Sequence, residues 1–238
     1  MISIVAHRGY SSRFRENSPL AWSEAAKAGA DVVEADIRFT ADAVPVCVHD
    51  KDLKRLLGRH ETIASMPFAA LADLTAAGQP IAPRFADALA AVPPTTSLLL
   101  DVKDESPPAL EHLDQLVRDA GDRDIILGLH RRQTVETMAK LGHRRILGLM
   151  LDPDEGKAFI DTGATIIRVW EADVTPDRLA PLLAHKVPVW STTGDKGTHR
   201  LVGDFDAAGL RRLADLGVKG FLVNDPMGAR EALAGAMA

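Results

Sequence analysis

Cysteine is all but missing from this chain. Cys47 is the only one in 238 residues, which excludes an intrachain disulfide framework and a zinc site built on thiolates. That usage fits a reducing compartment. No apolar run approaches the roughly 20 residues that span a bilayer, so no membrane insertion is expected. The start, Met-Ile-Ser-Ile-Val-Ala-His7, has no basic segment ahead of its short apolar run, and no secretory leader is expected from it. The net charge is -5 with no acidic or basic block, which argues against a non-specific nucleic-acid surface. Glycine-rich dinucleotide and P-loop fingerprints are absent. So are linkers, low-complexity tracts and close repeats. A cytoplasmic protein with one domain over 1–238 is the expectation that remains.

What is present is an alternation of strand-like and helix-like runs in a chain that is 46% hydrophobic, ample for a sizeable core. Strands are expected over 3–7, 31–39, 44–48, 97–102, 124–129, 145–151, 165–170, 187–192 and 220–223. Helices are expected to start at Pro19, capped by Asn17 or Ser18, and over 110–120, 133–141, 155–162, 176–185, 205–216 and 227–237. Residues 50–96 are less regular, with short helices over 68–77 and 84–92 among prolines. Counting leaves about eight strands in a strand-to-helix rhythm, with 44–48 as an extra. They are rich in Val, Ile and Leu rather than alternating, which suits a parallel sheet buried on both faces. The length is close to that of a (β/α)8 TIM barrel. An open doubly wound sheet is the weaker alternative.

The polar residues fall at strand ends. His7-Arg8, Glu34-x-Asp36, His49-Asp50, Asp101-x-Lys103, Glu171 and Thr192 would meet at the C-terminal mouth of a barrel, where such folds place their chemistry. Glu34 and Asp36 share one strand face by the two-residue period. Two carboxylates on a core strand are costly unless compensated. Asp101 from the next core strand makes a third hard oxygen ligand, favouring Mg²⁺ or Ca²⁺ over zinc. A set of strand-end carboxylates that are merely ion-paired, with Arg8 and Lys103 as partners, is the competing account. His7 and His49 can divide general base and general acid work. Arg8 and Lys103 can take phosphoryl oxygens. Glu16 precedes Asn17 at the first helix, where favouring the positive helix end is its simpler role. Trp170 and Trp190 read as strand-end rings that either wall the pocket or pack in the core. His60, His112, His130, His143, His185 and His199 carry no assigned role. The polar run 192–206 reads as a lid or a substrate-selecting loop.

Ala6-His-Arg-Gly9, Arg15-Glu-Asn-Ser18, Val33-Glu-Ala-Asp-Ile37, Val46-Cys-Val-His-Asp50, Leu98-Leu-Leu-Asp-Val-Lys103 and Gly217-Val-Lys-Gly-Phe-Leu-Val-Asn-Asp-Pro226 also carry a resemblance. Together they resemble the glycerophosphodiester phosphodiesterase family, a phosphatidylinositol-phosphodiesterase-like TIM barrel. The resemblance implies hydrolysis of a small-molecule glycerophosphodiester to an alcohol and glycerol 3-phosphate with Mg²⁺ or Ca²⁺. It implies His7 and His49 as the acid/base pair, Arg8 and Lys103 on the phosphate, Glu34, Asp36 and Asp101 on the metal, and Glu16 as a supporting acid of the substrate site; Trp190, as a ring that walls the pocket, is a further candidate substrate contact. It implies a small insertion after the second strand, beginning near Val44 and short here.

Departures from the family pattern are specific. Asp101 stands where the family has Glu, one methylene longer. Ala43 replaces the glycine of an Asp-Gly turn, where φ > 0 is often wanted. Lys219 and Val223-Asn224 alter the mouth of the last strand. These motivate two alternatives: a phosphodiesterase of the same fold acting on a lysophospholipid or a sugar phosphate, or a catalytically weak barrel that binds phosphate esters.

Overall fold

The computed structural model describes residues 2–195 and 197–234. Its strands are β1 (Ser3–Ala6), β2 (Val32–Phe39), β3 (Pro45–Cys47), β4 (Thr75–Ala76), β5 (Gln79–Pro80), β6 (Ser97–Val102), β7 (Ile125–Leu129), β8 (Ile146–Gly148), β9 (Ile166–Trp170), β10 (Val189–Thr192) and β11 (Gly220–Val223). Its α-helices are α1 (Pro19–Lys27), α2 (Lys54–Leu57), α3 (Phe68–Leu71), α4 (Phe85–Ala91), α5 (Pro107–Asp119), α6 (Arg132–Lys140), α7 (Gly156–Asp161), α8 (Pro176–Ala184), α9 (Ala207–Asp215) and α10 (Pro226–Ala234). Eight parallel strands close in the order β1-β2-β6-β7-β8-β9-β10-β11, with β11 returning to β1. Each of the eight is followed by a packing helix. The expected (β/α)8 barrel is the fold found.

Strand parity divides the core into two layers. Val5, Val32, Leu99, Ile126, Leu147, Leu149, Ile166, Trp190 and Leu222 fill the barrel interior. Their neighbours along the strands, such as Ile4, Val33, Leu98, Leu100 and Ile167, point outward and pack in the helix-facing core. Both strand faces are therefore apolar, which is why the strands read as continuous hydrophobic runs. At the C-terminal ends the inward parity switches to polar residues, and that switch builds the site.

The segment between β2 and α4 departs most from expectation. β3 returns antiparallel to β2, pairing Ile37 with Cys47 and Phe39 with Pro45. The chain then builds a satellite core from Val46, Val48, Leu53, Ile63, Met66, Leu71, Ile81 and Ala82, so the insertion is more substantial than a short turn. The helix expected over 68–77 stops at Leu71. Ala77 (φ 50) and Gly78 (φ 72) form a left-handed two-residue turn joining β4 to β5, a conformation no helix contains. Ala43 sits at φ 59, so the turn does demand the backbone that a glycine supplies more cheaply. β8 ends at Gly148, earlier than expected, because the chain soon enters a 3₁₀ turn opened by Asp152, whose side chain accepts from Asp154 N. The expected end of the last helix at Met237 lies outside the described residues. Among the described residues no helix is long and apolar enough to cross a membrane.

Candidate active site

β2 sends Val32, Glu34 and Asp36 into the barrel, and β6 sends Leu99 and Asp101. Parallel pairing sets Asp36 beside Asp101. Glu34, Asp36 and Asp101 consequently each place a carboxylate oxygen within 4.8 Å of the others. Glu34 and Asp36 are each 1% exposed, so water does not screen this charge. Lys103 and Arg8 answer it. Lys103 Nζ lies 3.0 Å from Asp36 Oδ1 and 2.6 Å from Asp101 Oδ2, and Arg8 Nε lies 3.2 Å from Asp36 Oδ2.

The titration directions follow. Burial opposes the charge on Asp36, but Lys103 and Arg8 prevail and hold its carboxyl below the usual carboxylate range. Burial also opposes Asp101, yet Lys103 and His130 hold it far below that range. Glu34 goes the other way: burial, then the charges of Asp36 and Asp101, push it well above. Two cations do not satisfy three carboxylates. Among the described residues Glu34 Oε1 and Asp36 Oδ1 are buried without a hydrogen bond, although Lys103 Nζ pairs with Asp36 Oδ1 at 3.0 Å. Buried hard oxygens gathered within 4.8 Å and short of hydrogen bonds are what a divalent ion takes up, so these three residues fit one.

The turn after β1 is strained. Arg8 sits at φ 57 and Asn17 at φ 49, left-handed conformations that cost about 1–3 kcal/mol each and persist only where surroundings impose them. Here they do. Arg8 N donates to Glu34 Oε2 at 2.6 Å. Asn17 N donates to Arg8 O at 3.0 Å, and Asn17 clasps Asp36 twice, Nδ2 donating to Oδ2 at 2.6 Å and Oδ1 accepting from Asp36 N at 3.1 Å. Asn17 is thus not the helix cap. Ser18 is, its Oγ accepting from Ala21 N at 3.1 Å. Glu16 Oε2 takes Arg8 Nη1 at 3.0 Å while its other oxygen meets Arg55.

The two histidines differ in surroundings. His7 Nδ1 is 3.0 Å from Asn224 Oδ1. The Asn224 amide nitrogen donates to Val202 O at 2.8 Å and Asp204 Oδ1 at 2.9 Å, so its oxygen faces His7 and His7 Nδ1 carries the proton. Nε2 then holds the lone pair. Burial, reinforced by Arg8, pushes the His7 imidazole down to about 4, so it is neutral at pH 7. His49 follows β3, which is tied to the acidic strand by Val48 N donating to Asp36 O at 3.1 Å. His49 Nδ1 lies 3.0 Å from Asp50 Oδ1, and Asp50 Oδ2 accepts from Arg55 Nε at 2.5 Å.

Three functional candidates escaped the sequence reading. His130 follows β7 directly and places Nε2 2.8 Å from Asp101 Oδ1. It shares parity with Ile126, an inward residue, and that count from the strand would have flagged it. Asn224 stands out only as a departure at the last strand. Arg168 is a lone cation inside β9, 4% exposed. Trp190 moves the other way. It is the second residue of β10, not its end, and its ring lies in the apolar interior against Gly220. It does not wall the mouth. Described residues on either side of position 196 in the 192–206 run are anchored to the barrel. Buried Glu171 accepts from Gly194 N at 2.9 Å and from Arg200 Nη2 at 2.5 Å, and Gly203 packs directly on Asn224.

Fold and site together define a (β/α)8 barrel protein with a candidate acidic metal centre at its C-terminal mouth, flanked by paired cations and histidines. The chain belongs to the glycerophosphoryl diester phosphodiesterase family, whose model matches residues 7–161. The probable glycerophosphodiester phosphodiesterase 1 of Mycobacterium tuberculosis is 42% identical over 71 residues, 30% of this chain and 26% of that protein. Human glycerophosphodiester phosphodiesterase 1 is 40% identical over 76 residues, 32% of this chain and 23% of that protein. The match thus spans about a quarter of the length of these curated relatives. Among solved structures, a putative glycerophosphodiester phosphodiesterase from Galdieria sulphuraria superposes with a TM-score of 0.84 at 15% identity, covering 98% of both chains. An Oleispira antarctica phosphodiesterase in complex with the product sn-glycerol-3-phosphate superposes at 0.81 with 17% identity, covering 98% of this chain and 96% of that one. At these identities the likeness is one of fold.

Proposed function

We propose that the chain, acting as one domain over 1–238, hydrolyses glycerophosphodiesters to an alcohol and glycerol 3-phosphate. A divalent ion, Mg²⁺ or Ca²⁺, would be held by Glu34, Asp36 and Asp101. The observation that carries this is the buried carboxylate trio, two of whose oxygens lack a hydrogen bond among the described residues, interleaved with Arg8 and Lys103 in a member of this family. When bound, the ion supplies positive charge against the phosphoryl oxygens. Arg8 and Lys103 then have N–H donors for those oxygens, meeting the charge that grows as the bond to phosphorus forms. His7 is held neutral with Nε2 free and takes the proton from the attacking oxygen. His49 gives a proton to the departing alkoxide, with Asp50 as the counter-charge an imidazolium needs. A bond from the attacking oxygen to phosphorus forms and the bond to the leaving alcohol breaks. Proton exchange with water restores both rings.

The test is release of glycerol 3-phosphate from glycerophosphocholine. EDTA is expected to bring it to background, with Mg²⁺ or Ca²⁺ restoring it. His7→Ala is expected to cost about 10²–10⁴-fold, the range of one acid/base group. Turnover that survives both would overturn the reading.

The His7 shift also predicts a pH dependence of stability. Its folded value, about 4, lies below the ordinary 6.5, so between those values the unfolded chain binds the extra proton. Stability therefore falls as the pH drops from about 6.5 to 4, by about 3 kcal/mol in all. Urea titrations of the metal-free protein and of His7→Gln check this. The difference between the two curves should shrink across that window, and parallel curves would refute it.

A further inference from the structure

Arg168 is a buried cation that the reaction above does not use. Its parity on β9 is that of Ile166, which lies inside the barrel, so its side chain enters the interior two residues nearer the mouth. It is 4% exposed. Among the described residues its Nε and Nη1 have no hydrogen-bond partner. Trp170 covers one face of the guanidinium, at 4.3 Å from the ring centroid. The two carboxylates that influence it most are committed elsewhere, Asp101 to Lys103 and His130, and Asp173 to Arg178. A buried charge with no partner is among the costliest things a core can hold. Keeping one in an otherwise apolar strand calls for a ligand.

Position says which part of a ligand. In the closed order β1-β2-β6-β7-β8-β9-β10-β11, β9 lies diametrically across the barrel from β2. Glu34, Asp36, Arg8 and Lys103 sit on or beside β2, so the phosphoryl group's charge is already met on that wall. Arg168 sits on the opposite wall, toward which a substrate whose phosphoryl group lay against β2 would extend its remainder. Resting on the hydrolytic reading above, we propose that Arg168 receives an anionic group, a carboxylate or a phosphate, carried by the leaving alcohol. The centre then prefers diesters whose leaving alcohol is itself negatively charged. A planar guanidinium stacked on an indole suits such a group, since its edge donors fork onto two oxygens.

Glycerophosphoserine and glycerophosphoethanolamine differ by one carboxylate and make a matched pair. The wild-type protein is expected to favour the serine diester by about tenfold or more in kcat/KM, mostly through KM, as one charge-assisted hydrogen-bonded pair supplies. In Arg168→Met that ratio should fall toward one, and Arg168→Lys should recover part of it. Removing the unpaired charge should leave the melting temperature unchanged or higher, which separates this role from a structural one. Equal losses on both substrates would mean that Arg168 serves the phosphoryl group, and an unchanged ratio would mean that it reads no substrate anion. Either overturns the proposal. If neither diester turns over, the hydrolytic reading has failed on its own. Calorimetry with O-phosphoserine against phosphoethanolamine, in Mg²⁺, then decides: a preference lost in Arg168→Met supports the anion site, and equal binding in the wild type refutes it.

Discussion

Asp36→Asn is expected to lower kcat/KM for glycerophosphocholine by about 10³-fold or more, with at least a tenfold loss of Mg²⁺ affinity by calorimetry. The substitution keeps shape and removes charge, and Asp36 is where every strand of the site converges. Its Oδ2 accepts from Asn17 Nδ2 and pairs with Arg8 Nε, and its Oδ1 faces Lys103. An amide has one accepting oxygen. Whichever way it turns, its NH₂ confronts Lys103 on one side or Arg8 and Asn17 on the other, donor against donor. Lys103 keeps Asp101 and Arg8 keeps Glu16, so both cations are drawn away from a phosphoryl group at the centre. Loss of one preorganised electrostatic contact commonly costs 10²–10³-fold, and here a metal ligand goes with it. If Mg²⁺ affinity were retained while turnover fell, Asp36 would orient Arg8 and Asn17 without ligating the ion.

The early strands declare this centre in the sequence, because Glu34-x-Asp36 and Asp101-x-Lys103 are doublets at the strand period, where parity puts both members on one face. The late strands carry single polar residues, and a single one has no parity of its own. Arg168 and His130 become inward only once Ile166 and Ile126 are seen inside. Trp190 fails for a related reason. Trp190 lies two residues before the mouth-side end of β10 at Thr192, and its inward parity at that depth puts the ring in the apolar interior rather than at the rim. Asn17 reads as a cap because Asn before proline-led helices caps. Its clasp on Asp36 depends on a left-handed backbone that only the folded turn imposes. Residues 50–84 defeat periodicity because their elements are two to four residues long and held by a satellite core, too short for either repeat to show.

Gly9→Ala is expected to destabilise the protein by about 3 kcal/mol or more, at the severe end for single substitutions, and to disturb the site with it. Gly9 combines φ +83 with close backbone contact: an added Cβ would lie 2.7 Å from the Ala21 carbonyl carbon and 2.8 Å from its oxygen. That neighbour belongs to α1 and cannot swing away as a side-chain tip can. Tyr10 N donates to the same Ala21 oxygen at 2.9 Å, so relief by moving the helix breaks the bond that seats it. Moving the turn instead drags Arg8 N off Glu34 and Arg8 O off Asn17, and the clasp on Asp36 loosens in turn. Gly58 provides the control. It has a similar backbone, φ +70, but nothing within 4 Å of an added Cβ, so Gly58→Ala carries only the left-handed penalty of about 1 kcal/mol. Urea midpoints of the two variants separate strain from packing. Equal losses would show that the glycine of the His7-Arg8-Gly9 turn is there for its dihedral angles alone. A markedly larger loss at Gly9 ties the close approach of α1 to the geometry of the acidic centre.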